Sequence, residues 1–178
     1  VILEGRRIAW GASGRNGGQA IAGYACEQGP FESQLGLAEA KKAFNLTLEG
    51  LDLMRARIKQ HNIDCDWMDG FMQVSVKPKS TPDLLASVEY MRDVYDYPHL
   101  QAITPDEMPQ WIASKRYHAG VLDHNSAHLH PLKYALGIAR AALAAGVTIY
   151  EHSEVTELIH GDPAIVKTAE GQVTAQFA

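Results

Sequence analysis

Cysteine is scarce in this sequence, since only Cys26 and Cys65 occur among 178 residues. The two lie far apart and belong to no Cys-x-x-Cys or mixed Cys/His spacing, which argues against a disulfide framework and against a zinc-finger-like site. Scarce cysteine is typical of proteins kept in a reducing compartment, so we expect a cytoplasmic location. We interpret Cys65 as an inert thiol in a buried turn.

Long apolar runs and an excess of basic charge are also missing. No stretch approaches the ~18 apolar residues of a membrane-spanning helix, and the first residues lack the basic-then-apolar layout of a signal peptide. The chain carries 16 Lys and Arg against 21 Asp and Glu, so no overall basic field attracts nucleic acid or an anionic membrane. Apolar residues make up 46% of the chain, as in an ordinary folded domain. These features favour a small-molecule partner and predict neither a nucleic-acid nor a membrane partner.

Hydrophobic periodicity predicts an α/β chain. The clearest helix begins at Pro131, a residue favoured at the first helical position, follows His130 as N-cap and ends at Gly146. The strand after it, 147–151, completes the αβ half of a crossover unit, so we expect it to pair in parallel with 1–4. The other predicted elements are helices at 35–61, 82–94 and 105–112, the last two with Thr81 and Thr104 as N-caps, strands at 71–76 and 116–122, a His-rich turn at 123–130, and a meander of strands at 155–159, 165–168 and 173–177.

Residues 11–23 contain five glycines, far more than an ordinary helix tolerates. Glycines let backbone N–H groups approach an anion, while Ser13 adds a hydroxyl donor and Arg15 a forked cation. Upstream, Glu4 ends a predicted strand, where a dinucleotide-binding fold places an acid on the adenosine ribose. The pattern predicts contact with a pyrophosphate or flavin edge; the alternative is a glycine-rich turn with an exposed arginine. The glycines concerned are Gly11, Gly14, Gly17 and Gly18.

Two other motifs are excluded around Ser13. A nucleophile elbow requires a glycine two places after the serine, where Arg15 stands, and a P-loop requires a following Gly-Lys-Ser/Thr. The GxGxxG turn that precedes a ribose-binding acid by about 20 residues is absent, because the chain begins too late to contain it. We therefore expect the chain to be a fragment that holds part of a cofactor site.

A family resemblance is carried by Leu3-Glu4, Gly11-Ala12-Ser13-Gly14-Arg15-Asn16-Gly17-Gly18-Gln19, Ile63-Asp64-Cys65-Asp66-Trp67, Tyr117-His118-Ala119-Gly120 and the run 130–142. These strings resemble the D-amino-acid-oxidase-like family of FAD-dependent oxidoreductases, and most closely its gamma-glutamylputrescine oxidase branch. The resemblance spans nearly the whole chain but only a middle portion of such an enzyme. It implies a partial FAD-binding Rossmann-like lobe of the glutathione-reductase type, without its first βα unit, at 1–63 and 129–178. An α+β substrate lobe would be inserted at 64–128.

The resemblance also implies roles for single residues. It places Glu4 on the adenosine ribose, Arg7 or its neighbour Arg6 on the adenosine side, and the backbone of Val155 against the adenine ring. The residues that it places along the pyrophosphate and ribityl chain are Ser13, Gly14, Gly17 and Gly18. Those that it brings to the flavin ring are Arg15, Asn16 and Gln19.

The implied activity is oxidation of a C–N bond of an amine or amino acid to an imine, with FAD as hydride acceptor. The branch implies a gamma-glutamylputrescine-like substrate, and no catalytic residue is assigned. One alternative is a non-catalytic remnant that binds no flavin and self-associates through the exposed sheet edge at 1–4. A second keeps the enzyme class but uses a nicotinamide cofactor, which also places an acid after a strand; the Gly-Arg-Asn-Gly-Gly string disfavours it.

Two further groups of residues invite a functional interpretation. Asp123, His128 and His130 lie in a His-rich segment, but no spaced carboxylate accompanies the histidines and His130 suits an N-cap, so we predict no metal site there. Tyr117 and His118 could face a substrate, although packing between strands is the favoured interpretation.

Overall fold

The computed structural model describes residues 1–178 and contains nine strands and five helices. They form two units, which we call unit 1 (residues 1–17, 57–65 and 130–178) and unit 2 (residues 18–56 and 66–129). In chain order the elements are β1 (Ile2–Leu3), β2 (Gln19–Ala20), α1 (Gln28–Leu35), α2 (Leu37–Gln60), β3 (Met68–Ser75), α3 (Thr81–Tyr95), β4 (Leu100–Ile103), α4 (Met108–Trp111), β5 (Ala119–His128), α5 (Pro131–Ala144), β6 (Ile149–Tyr150), β7 (Val155–Ile159), β8 (Ala164–Thr168) and β9 (Gln172–Ala175), with 3-10 turns at Ala12–Gly14 and Pro78–Ser80.

The division into units differs from the predicted lobes in one long segment, and by one or two residues at 64–65 and 129. Residues 18–56, which the sequence assigned to the first part of the cofactor lobe, belong with 66–129 in unit 2. The assignment of cofactor and substrate lobes to parts of the chain stays a prediction. Even α2, with 24 residues, is too polar to cross a membrane, and no other helix is long and apolar enough.

Unit 1 is organised around α5 and the strand pair that it feeds. His130 caps α5, since its Nδ1 accepts the Lys133 N–H at 3.5 Å, and the helix ends before Gly146 at a φ of 88°. β6 then pairs in parallel with β1, with Ile2 opposite Ile149. The predicted helix, its cap and the parallel pair are therefore confirmed.

Gly137 explains how closely α5 can pack within unit 1. A Cβ built on Gly137 would lie 2.3 Å from Cγ2 of the buried Ile63, a separation that no real Cβ tolerates.

Beyond β6, the strands β7, β8 and β9 form the predicted antiparallel meander, with the β8–β9 turn at Glu170 and Gly171.

Unit 2 is an antiparallel sheet with helices packed against it. β5 is the central strand and pairs with β2, β3 and β4. The core cluster lies where α2 and α3 meet the chain after α3. It contains the buried residues Phe44, Met91, Tyr95 and Tyr97.

The predicted His-rich turn is wrong in unit 2, because β5 continues through it to His128. The strand accommodates these polar residues because Asp123 and Ser126 are buried and hydrogen-bonded to each other, while His124 and His128 stay exposed. The start of the predicted strand also moves, from residue 116 to Ala119.

Both predicted threonine caps need correction. Thr81 is the first residue of α3 rather than its cap, and its Oγ1 lies 2.8 Å from Ser75 Oγ. α4 begins at Met108, because the Glu107 carboxylate accepts both the Thr104 N–H and the Thr104 hydroxyl and so holds residues 104–107 in a turn. The elements β2, α1 and β4 were not predicted.

Candidate functional site

Two acidic residues follow the ends of the parallel strand pair of unit 1. Glu4 follows β1 and Glu151 follows β6, directly after the paired residues Leu3 and Tyr150. Oε1 of Glu4 accepts the Arg6 N–H at 2.8 Å, and Oε1 of Glu151 accepts the Ile8 N–H at 2.8 Å. Both strand ends therefore bind the loop 5–10, and Oε2 of Glu4 is left to accept a further donor.

The backbone after Glu151 also forms hydrogen bonds with Glu4 and the loop 5–10. The His152 N–H donates to the Arg6 carbonyl and the Ser153 N–H to the Glu4 carbonyl, both at 2.8 Å. β7 begins two residues later at Val155, which is 45% exposed and pairs with Thr168. Val155, the residue predicted to contact adenine, therefore lies at the start of β7, two residues after the hydrogen bond from Ser153 to Glu4.

Trp10 lies at the centre of the cationic part of the loop. The guanidinium carbon of Arg6 is 4.2 Å from the indole centroid and that of Arg15 is 4.3 Å from it. The backbone N–H of Trp10 donates to the Arg7 carbonyl at 2.9 Å, which fixes the backbone from which the indole projects. Arg7 itself is exposed.

The glycine-rich string forms a 3-10 turn that requires glycine at one position. A Cβ on Gly14 would lie 2.2 Å from the Ala9 carbonyl oxygen and 3.1 Å from Cδ1 of Leu132, so the turn packs directly on loop and helix. Asn16 donates its side-chain amide to the carbonyls of Ala12 at 3.0 Å and Ser13 at 3.2 Å. Asn16 thus stabilises the turn, while Ser13 stays exposed toward solvent.

Gly14→Ala is expected to lower the free energy of unfolding of unit 1 by roughly 2 kcal/mol, because the new methyl group meets backbone that cannot rotate away. Gly11→Ala is the matched control: its Cβ would meet nothing within 4 Å, and its φ of -81° suits alanine. Urea unfolding midpoints of the two variants test this. Indistinguishable midpoints would show that the turn yields without cost.

The remaining predicted site residues lie in two different settings. Gly17 is an exposed residue of unit 1. Gly18 and Gln19 belong to unit 2, where Gly18 has a φ of 69° and its carbonyl accepts the Leu129 N–H at 2.8 Å. Gln19 opens β2 opposite His128.

The His-rich segment gives its side chains separate contacts. Asp123 is buried and accepts the Tyr97 hydroxyl at 2.8 Å, whereas His124 Nε2 lies 2.9 Å from Oε1 of Gln101. His130 is occupied as the cap of α5. Tyr117 and His118 are half-buried, and the His118 N–H donates to the Ser75 carbonyl.

Unit 2 also contains an open cavity of about 670 Å³ between the sheet and α3. Aromatic and aliphatic side chains such as Phe44, Phe71 and Met91 line it, together with Asp123 and Tyr97. Asp123 already has four donors, from Tyr97, from the Asn125 N–H and from the N–H and hydroxyl of Ser126. Loop 4–17 of unit 1 instead combines an acid at a strand end with two arginines that share one indole and with the open backbone at Gly11, so we take this loop as the candidate site.

Comparison with known proteins identifies the family. The model of the FAD-dependent oxidoreductase family of the D-amino-acid-oxidase type matches residues 1–177. The chain belongs to that family. It is 38% identical over 180 residues to the gamma-glutamylputrescine oxidoreductase of Escherichia coli, a match that covers 99% of this chain and 41% of the relative. It is 36% identical over 177 residues to the probable oxidoreductase OrdL of Haemophilus influenzae, again over 99% of this chain and 41% of the relative.

A solved structure of the same fold is that of glycine oxidase from Geobacillus kaustophilus. It superimposes with a TM-score of 0.74 at 20% identity and covers 98% of this chain and 46% of the glycine oxidase. The predicted family and the predicted α/β fold class are thereby confirmed. The chain spans about two fifths of the length of the curated relatives it matches.

Sequence reasoning missed two residues that shape the loop 4–17. Trp10 stands within the Arg- and Gly-rich string, and an aromatic between two arginines is the signal that could have found it. Glu151 contacts the loop from 143 residues away, and its only sequence signal is an acid at the end of the second strand of a parallel pair.

Proposed function

We propose that the loop 4–17 of unit 1 binds the adenosine and diphosphate portion of FAD in an enzyme that oxidises a C–N bond of an amine or amino acid to an imine. The observation that carries this proposal is the joint presence, in one loop, of an acid at a parallel strand end and two arginines without counter-ions. The bound flavin supplies the hydride acceptor, and the loop supplies binding and orientation.

The chemistry of the loop fits this ligand at both ends. Oε2 of Glu4 can accept a ribose hydroxyl, because Oε1 is already used by the Arg6 N–H. Arg6 and Arg15 present donors and positive charge suited to phosphate oxygens. Because Arg15 shares the Trp10 indole with Arg6, we propose that Arg15 contacts the diphosphate rather than the flavin ring, to which the family resemblance assigns it. The backbone at Gly11 is open, since a Cβ there would meet nothing within 4 Å. Ser13 adds a hydroxyl donor to the same surface.

The remaining predicted contacts complete the proposal. Arg7 and the backbone of Val155 would lie toward the adenosine, and Asn16, Gly17, Gly18 and Gln19 toward the flavin and its ribityl chain. The 38% identical relative is named for gamma-glutamylputrescine, which supports a gamma-glutamylputrescine-like substrate. We propose a cytoplasmic location on the basis of the scarce cysteine.

Titration of the chain with FAD, monitored by the absorbance and fluorescence of the flavin, tests the proposal. Replacing Glu4 or Arg15 with alanine is expected to raise the Kd for FAD about tenfold, because each change removes a hydrogen bond to a charged group. Glu170→Ala and Arg140→Ala are matched controls, since both residues are exposed in unit 1 and lie outside the loop. Binding is the chosen readout because the chain spans 41% of the length of its relatives.

Two results would count against the proposal. Saturable FAD binding that neither Glu4→Ala nor Arg15→Ala weakens would move the cofactor site away from the loop. No saturable binding at all would favour a second candidate function, a non-catalytic protein that self-associates. That candidate is supported by the open β1–β6 pair, where Val1 is 68% and Tyr150 52% exposed, and sedimentation of the same samples would detect it.

A further inference from the structure

Arg6 and Arg15 form an unusual pair, because both guanidinium groups pack against one exposed indole. Their guanidinium carbons lie 4.2 Å and 4.3 Å from the Trp10 centroid, and Trp10 is 44% exposed. Neither guanidinium forms an ion pair or a side-chain hydrogen bond within the chain. Two like charges are therefore held close together without a counter-ion, an arrangement that an anionic ligand would stabilise.

Stacking on the indole restricts the conformations of the two arginine side chains. Tryptophan has the strongest cation-binding face among the aromatic side chains, and the planar guanidinium stacks on it while keeping its N–H donors free at the edge. An exposed arginine without such a partner must lose its side-chain freedom when a ligand binds. Stacking on Trp10 imposes that order before the ligand arrives.

Trp10 is itself fixed by the fold of the loop. Its backbone N–H donates to the Arg7 carbonyl, and the 3-10 turn before Arg15 is closed by backbone hydrogen bonds from Gly14 to Gly11 and from Arg15 to Ala12. Gly14 packs this turn against the Ala9 carbonyl, next to Trp10 in sequence. The two arginines thus approach the indole from opposite ends of one short, internally bonded loop.

We propose that Trp10 is a positioning residue that holds Arg6 and Arg15 as a preorganised pair for the diphosphate of FAD. The assignment rests on the proposed function of the loop and adds the side chain on which the affinity for the diphosphate depends. It also specifies the ligand class: a diphosphate-bearing nucleotide is favoured over an uncharged flavin, since the pair recognises charge and not the ring system.

The test compares Trp10→Leu with Trp10→Phe by titration of FAD and, separately, of ADP as a flavin-free diphosphate. Trp10→Leu is expected to raise both Kd values about fivefold, and Trp10→Phe, which keeps an aromatic face, about twofold. Trp111→Leu is the matched control, because Trp111 is similarly exposed at 47% but lies in α4 of unit 2. The increase in Kd caused by Trp10→Leu should be smaller at high salt, where charge interactions of exposed groups are screened.

Each outcome decides the assignment. FAD binding by the unsubstituted chain that Trp10→Leu leaves unchanged would overturn the role of Trp10 and leave the proposed function standing. An equal loss in Trp10→Leu and Trp10→Phe, or a loss that salt does not diminish, would also overturn it. No FAD binding by the unsubstituted chain would overturn both proposals. If Trp10→Leu lowers the unfolding midpoint, the titration is made with Arg6→Gln instead. A Kd for ADP that Arg6→Gln leaves unchanged would show that Arg6 and Arg15 do not bind the diphosphate as a pair.

Discussion

Phe44→Ala is expected to lower the free energy of unfolding of unit 2 by about 3–5 kcal/mol, the usual cost of truncating a buried phenylalanine. Phe44 is 3% exposed on α2 and contacts the rings of Tyr95 and Tyr97 edge-on, at centroid distances of 5.4 Å and 5.2 Å. Such aromatic pairs stabilise a core beyond the apolar area that they bury. Both tyrosines are anchored by hydroxyl hydrogen bonds, to Glu32 and Asp123, so they cannot easily move into the space that alanine leaves.

Urea unfolding followed by far-UV circular dichroism measures this loss. Leu46→Ala is the control on the same helix, because Leu46 is 61% exposed and its truncation should change stability by less than about 0.5 kcal/mol. A loss of less than about 1 kcal/mol in Phe44→Ala would mean that the cluster collapses around the vacancy, and that the core of unit 2 lies elsewhere.

The parts of the fold that could be predicted are those with a local signal. α2 and α5 carry apolar residues at helical spacing over several turns. The parallel pairing of β1 with β6 could be predicted because α5 and β6 resemble the second half of a strand–helix–strand crossover unit. β2 has two residues and β4 four, too few for a periodic pattern, and α1 contains Gly29 and Pro30 near its start. Contacts with the rest of unit 2 decide these elements, and such contacts leave no local pattern.

The candidate site shows the same division. Glu4, Ser13, Gly14 and Arg15 could be proposed from the sequence because the order of glycines and charges is itself the signal. The contacts that shape the loop could not be, since the Ile8 N–H is bound by an acid 143 residues away. Asn16 illustrates a further limit: sequence places it within the loop, but only the structure shows that its amide donors bind the loop's own carbonyls.

Asp123 carries a comparable lesson in unit 2. Its sequence neighbours are histidines, which invited a metal-site interpretation, whereas the structure surrounds its carboxylate with hydrogen-bond donors. Burial, together with the hydrogen bond to Asp123, raises the pKa of the Tyr97 hydroxyl above its ordinary value, so this group stays protonated and donates. Asp123 is thus an organising residue of β5 that joins Tyr97 to the backbone N–H groups of Asn125 and Ser126.

Asp123→Ala is therefore expected to destabilise unit 2 by roughly 3 kcal/mol, because Tyr97 and Ser126 lose their buried acceptor. Tyr97→Phe should lower the free energy of unfolding less in the Asp123→Ala background than it does alone, because removing both partners leaves fewer polar groups without a hydrogen bond. A double-mutant cycle should give a coupling energy of about 1 kcal/mol. Asp106→Ala, at an exposed position, is the control. Strictly additive losses would show that Tyr97 and Asp123 stabilise the unit independently, and that burial rather than their hydrogen bond holds β5 and the aromatic cluster together.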